Sequence, residues 1–300
     1  MLKKQENIGV LFALMSAIIW GVFPVVVNYG IRTIPPITFA AITTLLAACI
    51  AFVYAAFQGN LNELKNKKTY FSLLIITICI VIIPYILFCI GTSRTSGFNS
   101  SMLLLSEIIF TLIFTHFIGE KTTIMKLLGA LGVFIGSLFI LYNGQIKFNF
   151  GDLLVVLSTA TYPIGNFYAK KALNLISSST ILFVRFLLGG LFILGLSFIV
   201  EPQSNIPIII STNWILILIT GFVFFGICKV FGYEALKRLD ISKTISLFMT
   251  SPLFSLVILI GIYNEIPTLI QWIGVIIMAI GVYFSIKRTS VDPAITKYAT

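Results

Sequence analysis

The stretches "LLLSEIIFTLIFTHFIGEKTTIMKLLGALGVFIGS" (Leu103–Ser137) and "LFMTSPLFSLVILIGIYNEIPTLIQWIGVIIMAIGV" (Leu247–Val282) decide how this chain folds. Laid over one another, they pair Ser106 with Ser251, Glu120 with Glu265, Thr123 with Thr268, Gly129 with Gly274 and Gly136 with Gly281. Each is an apolar run, a short polar joint carrying E-x-x-T, and a second apolar run with spaced glycines. The match extends toward the N-terminus. There "GVLFALMSAIIWGVFPVVVNY" from Gly9 lies against "GDLLVVLSTATYPIGNFYAKK" from Gly151, and "TFAAITTLL" from Thr38 against "TILFVRFLL" from Thr180. The chain reads as one set of apolar helices written twice.

Of its 300 residues, 58% are hydrophobic and only 10% are charged, and mean hydropathy is +1.06. Ordinary soluble domains carry about 25% charge. Apolar runs near the ~20 residues that cross a bilayer recur along the whole length, so the fold class is an all-α integral membrane protein. Ten spans are expected: Ile8–Tyr29, Pro35–Phe57, Tyr70–Cys89, Phe98–Ile118, Ile124–Tyr142, Leu153–Lys171, Ser178–Val200, Asn213–Ala235, Thr244–Tyr263 and Thr268–Lys287. Joins such as "RTIPP", "QGNLNELKNKK", "YNGQIKFN" and "EPQSNIP" carry the breakers and polar residues of short connections. The four cysteines show no CxxC spacing and the lone His116 has no ligand neighbours, so neither a disulfide framework nor a metal site is expected. No phosphate-binding loop or GxSxG elbow is present, and no cofactor is called for.

The net charge of +10 sorts by side. Lys3, Lys4, Lys65, Lys67, Lys68, Lys121, Lys126, Lys170, Lys171, Lys237, Arg238, Lys243, Lys287, Arg288 and Lys297 fall on one side of the spans. Only Arg32, Arg94 and Lys147 fall on the other, while Arg185 and Lys229 lie within spans. The positive-inside rule then places both termini in the cytoplasm and the protein, multi-pass, in the cytoplasmic (inner) membrane. Basic charge explained by topology leaves no case for nucleic acid. The first span is too long for a signal-peptide core and lacks an A-x-A site, so it is read as retained. Trp214, Trp272, Tyr142, Tyr70 and Tyr54 lie near span ends, as an aromatic belt would.

Five helices per repeat is an odd number, so the halves 8–142 and 151–287 must enter the membrane in opposite directions, leaving 288–300 as a cytoplasmic tail. Inverted repeats of this kind are a recurring plan of secondary transporters, with the site near mid-membrane between the halves. In "SAIIWG" of the first span, "TILFVRFLL" around Arg185, "SPLFSLVILIGIYNE" up to Glu265 and "GEKTTIMKLLGALGVFIGS", the chain resembles the drug/metabolite transporter superfamily in its ten-helix EamA-type branch, over Ile8 to Lys287. The resemblance implies two inverted five-helix repeats around a central cavity and alternating access, usually for export of amino acids, other metabolites or drugs. Two departures stand out. Thr43 takes a place where that family often has arginine, and Glu107 one where a helix-bending proline is common.

Glu107 stands nine residues into its span, roughly 14 Å deep at 1.5 Å per residue. An acidic group there costs on the order of 2.5–3.5 kcal/mol on insertion scales. It is therefore expected to face the bundle interior, as a coupling site for a proton or another cation or as an anchor for a substrate amine. A structural carboxyl, protonated or paired with a neighbouring helix, is the plainer alternative. Arg185, roughly 10 Å deep, suits a substrate carboxylate or a counter-charge to Glu107, or else snorkels and bonds helix ends. Lys229 lies close enough to a span end to snorkel, or it meets substrate or Glu107. Trp20, Pro24 and Asn28 share one face of the first span, and Tyr162, Asn166 and Lys170 repeat that spacing in the sixth. Such stripes suit a cavity wall or a helix contact equally. Glu120 and Glu265 read as caps, Glu234 as a surface partner of Lys237 and Arg238, His116 as interfacial, and Gly132 with Gly136 as a close-packing pair.

The expected function is secondary active export of a small polar metabolite such as an amino acid. The partners are that substrate, the lipid bilayer and a coupling proton or cation. An intramembrane enzyme using Glu107 as acid or base, or a non-transporting receptor, are the alternatives. The enzyme is disfavoured because no second carboxylate, nucleophile or metal set lies at matching depth.

Overall fold

In hydrocarbon every backbone N–H and C=O must find a partner within the protein, and a helix supplies one along its own length. The computed structural model, which describes residues 2–95, 97–119, 123–142, 149–201, 206–254 and 268–286, is accordingly helical, with no strand among those residues. Gln5–Gly30, Pro36–Phe57, Lys67–Thr92, Asn99–Phe117, Ser178–Val200 and Ile210–Arg238 are long and apolar enough to cross a bilayer, and Ile124–Ile140 and Leu269–Phe284 are shorter apolar helices. Glu120, Lys147, Glu265, the tail 288–300 and the ninth expected span beyond residue 254 lie outside the described residues.

Several spans are broken, and the breaks recur in both halves. Helix α1 (Leu2–Trp20) gives way at Gly21–Val22 to α2 (Phe23–Gly30), whose second residue is Pro24. Helix α9 (Phe150–Thr159) gives way to α10 (Tyr162–Ala172), whose second residue is Pro163. A proline has no N–H to return to the turn before it, so each frees a carbonyl at the break. Between α4 (Tyr70–Ile76) and α5 (Ile83–Thr92) the chain is π-helical over Thr77–Ile82. Between α12 (Ile206–Leu218) and α13 (Cys228–Arg238) it is π-helical over Ile219–Ile227. Helix α6 (Gly97–Leu104) tightens before α7 (Glu107–Phe117), with Ser106 N bonding Leu103 O at 3.1 Å and Ile109 N bonding Ser106 O at 3.0 Å. After α14 (Ile241–Phe248), Thr250 N bonds Leu247 O at 3.2 Å and Leu253 N bonds Thr250 O at 3.0 Å.

Phe23 and Tyr162, each followed by proline, thus open the helices after the first pair of breaks.

Two helix pairs make the most extensive contacts in the fold. Helices α3 (Pro36–Phe57) and α11 (Ser178–Val200) run antiparallel, and each has its N-terminus closed by a glutamate that follows the other. Glu201 accepts from Ile37 N at 2.8 Å and Thr38 N at 2.7 Å. Glu63 accepts from Ser177 N and from Thr180 Oγ1, each at 2.7 Å. A carboxylate at these orphan donors meets both the N–H groups and the positive end of the helix dipole. Burial pushes the Glu63 carboxyl up, but the hydrogen bonds from Ser177 and Thr180 outweigh it and hold the group below the usual carboxylate range.

The other pair, α8 (Ile124–Leu141) and α15 (Leu269–Ile286), meets backbone to backbone through glycines. A Cβ on Gly136 would lie 2.5 Å from Met278 N and 2.7 Å from Gly274 O, and one on Gly281 would lie 2.5 Å from Val133 N. Main chain cannot move aside as a side chain would. Gly136→Val should therefore destabilise the fold by about 1–3 kcal/mol, read as a lower melting temperature in detergent. Gly195→Ala, whose added carbon meets nothing within 4 Å, should leave that temperature unchanged.

Candidate functional site

The helix breaks converge on one place and present their flanking residues to it. Trp20 ends α1, Glu107 begins α7 and Tyr162 begins α10. Together with Asn166, Arg185 and Lys229 they line one small cavity. A second, smaller space adjoins it and shares the walls Trp20, Ile80, Tyr162, Arg185 and Lys229.

Its charged groups are held in distinct ways. Glu107 is half-buried and receives a hydrogen bond from Asn166 Nδ2 at 3.4 Å. Lys229 turns inward: its Nζ lies 3.3 Å from the centroid of the Trp20 ring, a cation–π contact. It interacts electrostatically with Glu107 across the cavity.

Arg185 is 2% exposed. Its Nη1 donates to Tyr233 Oη at 2.6 Å, and its guanidinium carbon lies 4.4 Å from the Phe186 ring centroid and 4.8 Å from that of Tyr233. Its Nε, fully buried, has no partner. With all three groups ionised, the two cations exceed the one carboxylate, and the cavity is short of an anion.

Asn28 stands apart from this cavity. Its Nδ2 donates to Thr92 O at 3.0 Å and Thr95 O at 3.2 Å, and Arg32 donates to its Oδ1 at 3.2 Å. It ties α2 to the joint between α5 and α6, where Thr95 also donates to Asp152 at 2.5 Å. The joint between α13 and α14, at the lysine-rich end, is tied in the corresponding way. Lys170 donates to Leu239 O, Lys126 pairs with Asp240 at 2.7 Å, and Lys243 pairs with Glu6 at 2.6 Å. One joint is held by amide and hydroxyl donors with Arg32 and Asp152, the other by three lysines with Asp240 and Glu6.

Elsewhere, Glu234 pairs with Arg238, and His116 is exposed beside the Phe117 ring. Cys49, Cys79, Cys89 and Cys228 are free, and among the described residues no group of His, Cys, Asp or Glu could hold a metal ion. Sequence reasoning did not single out Tyr233 or Thr44. A tyrosine four residues after Lys229, on the same helix face, was the available signal for the first; Thr44 gave none.

One family model, described as the EamA-like transporter family, matches this chain twice, over residues 7–142 and 149–287. The chain belongs to the EamA-like transporter family. It is a multi-pass membrane transporter, and its relatives carry the names of transporters. It is 24% identical over 245 residues to the uncharacterized transporter YoaV of Bacillus subtilis, covering 80% of this chain and 83% of that one. It is 23% identical over 299 residues to a probable amino-acid metabolite efflux pump of Escherichia coli, covering 93% and 94%. A solved crystal structure superposes with a TM-score of 0.76 at 14% identity, over 92% of this transporter and 95% of that chain, a likeness of fold.

The lysine-rich joint gives the transporter a pH response. Burial pushes the Asp240 carboxyl up, but Lys126, Lys170 and Lys243 outweigh it and hold the group below the usual carboxylate range. Such a group contributes stability above its unfolded value, near pH 4, and loses it as the pH falls through the lower folded value. The melting temperature of the purified transporter should fall between about pH 5 and about pH 3. Asp240→Asn should start lower and fall less steeply over that interval.

Proposed function

We propose that this transporter is a secondary active exporter that carries small polar metabolites such as amino acids by alternating access. In this reading it spans the cytoplasmic (inner) membrane with ten helices in two inverted five-helix repeats, 8–142 and 151–287, with both termini cytoplasmic. Glu107 couples the cycle to a proton or another cation, or holds a substrate amine, and Arg185 takes a substrate carboxylate.

The observation that carries the reading is the gathering of Glu107, Arg185 and Lys229 around one cavity at breaks in the helices. Unwound backbone is tolerated at membrane depth where it lines such a space. The reciprocal closure of α3 and α11 and the antiparallel glycine contact of α8 with α15 support inversion, because each joins an element to its own repeat partner. Side-chain tethers at both joints support alternating access, since either set can be exchanged for water. Export of amino acids is supported by the names of two relatives, probable amino-acid metabolite efflux pumps of Escherichia coli and Salmonella typhimurium.

The test is uptake of pooled labelled amino acids and metabolites into proteoliposomes, with and without an imposed pH gradient. Wild type should accumulate substrate in response to the gradient. Glu107→Gln, matched for melting temperature, should lose that response. An identical pH response in the mutant would make Glu107 structural and remove the coupling role; absence of flux for the whole pool would count against the substrate class.

A further inference from the structure

Both faces of the Trp20 ring are covered. Phe23 stacks on one, with centroids 4.0 Å apart and planes 15° from parallel. The Lys229 Nζ lies 3.3 Å from the same ring centroid. An atom that close cannot fit between stacked rings, so the ammonium holds the other face. A cation binds an aromatic ring over its face, and Trp20 has no face left for a second one.

The carboxylate of the cavity is engaged by the same lysine. Glu107 lines the cavity with Trp20 and Lys229, accepts a hydrogen bond from Asn166 Nδ2 at 3.4 Å, and interacts electrostatically with Lys229. A carboxylate at membrane depth is costly unless a cation compensates it. The other cation, Arg185, is turned toward Tyr233 and the Phe186 ring. Lys229 therefore occupies, on its own tether, the two features that would receive a free ammonium: a ring face and a carboxylate. Arginine stays charged in a protein, whereas lysine can give up its proton.

We infer that Lys229 carries the coupling proton, its ammonium alternating with a visiting ammonium over Trp20 and opposite Glu107. In the exchange Lys229 gives one proton to water, the neutral amine swings off the ring, and the visitor takes its place. Glu107 stays a carboxylate throughout, and the charge of the cavity is the same before and after. When the visitor leaves on the other side of the membrane, Lys229 takes a proton from water there. One proton thus moves against one visitor. This rests on the transporter cavity proposed above and divides its labour: Glu107 holds whichever ammonium is present, and Lys229 brings the proton. The other titratable or charged groups that face Lys229 are Arg185 from α11, Tyr162 from α10, and Cys228 and Tyr233 of its own helix. Helices α1 and α14 contribute no titratable side chain to the lining of this cavity.

Trp20 supplies a readout independent of flux. The other two tryptophans, Trp214 and Trp272, are 56% and 49% exposed and lie away from the cavity. In a Trp214→Phe, Trp272→Phe background, methylammonium chloride is titrated against Trp20 emission between about pH 6 and about pH 9. Affinity should rise with pH, by up to about tenfold per pH unit while Lys229 is protonated. Lys229→Arg should bind weakly at every pH. Lys229→Met should bind tightly at every pH, at least about tenfold better than the unsubstituted cavity at the acid end. These two substitutions act in opposite directions, so either alone decides. Glu107→Gln should weaken binding at least about tenfold. An affinity independent of pH with Lys229 present, or an unchanged pH slope in Lys229→Met, would overturn the exchange. In the proteoliposome assay Lys229→Met should move substrate without responding to the pH gradient. A retained response would overturn the role of Lys229 and leave transport standing. The expected methylammonium pattern with no flux from the pool would support the exchange and sink transport.

Discussion

A helix can be interrupted inside a bilayer only where something other than lipid receives the backbone groups it gives up. That constraint organises this transporter. Its interruptions at Gly21, Ser106 and Ala160 border one cavity, and hydroxyls stand at the latter two. Ser106 donates to Leu103 O at 2.6 Å and shares a 2.8 Å hydrogen bond with Thr159, while Thr161 donates to Cys79 O at 2.9 Å. The residues that flank the breaks, Trp20, Glu107 and Tyr162, thereby gain orientations an unbroken helix would not offer. The cavity is where the chain stops being able to satisfy itself alone.

Around that centre stand the two helix pairs. Carboxylates close the ends of α3 and α11, and glycines bring α8 and α15 into main-chain contact. The tethers at the two joints differ in kind: they are side-chain hydrogen bonds and ion pairs rather than helix closures or main-chain contacts.

Hydropathy exposed the spans because lipid imposes it on every residue that faces outward. The limits of Ser178–Val200 and Pro36–Phe57 were legible almost to the residue. The breaks were not. Nothing in "LLLSEIIF" marks a tightened turn, since serine and glutamate also occur within helices, and the break beside Glu107 stayed hidden. Asn28 and Asn166 stood on similar stripes in the sequence, whereas one secures a joint and the other bonds Glu107. Lys229 looked free to snorkel when only its distance from the span end was counted; the Trp20 ring, distant in sequence, holds it inside.

The reciprocal glutamates also bear on how the chain assembles. The start of α3 is finished by Glu201 and the start of α11 by Glu63, so neither half of the gene product encodes all the groups that complete its own second helix. During synthesis α3 must wait, with frayed leading amides, until a residue far along the ribosome's output arrives to seal it. A half of the chain separated from the other would emerge with one of its principal helices lacking the carboxylate that closes its first turn.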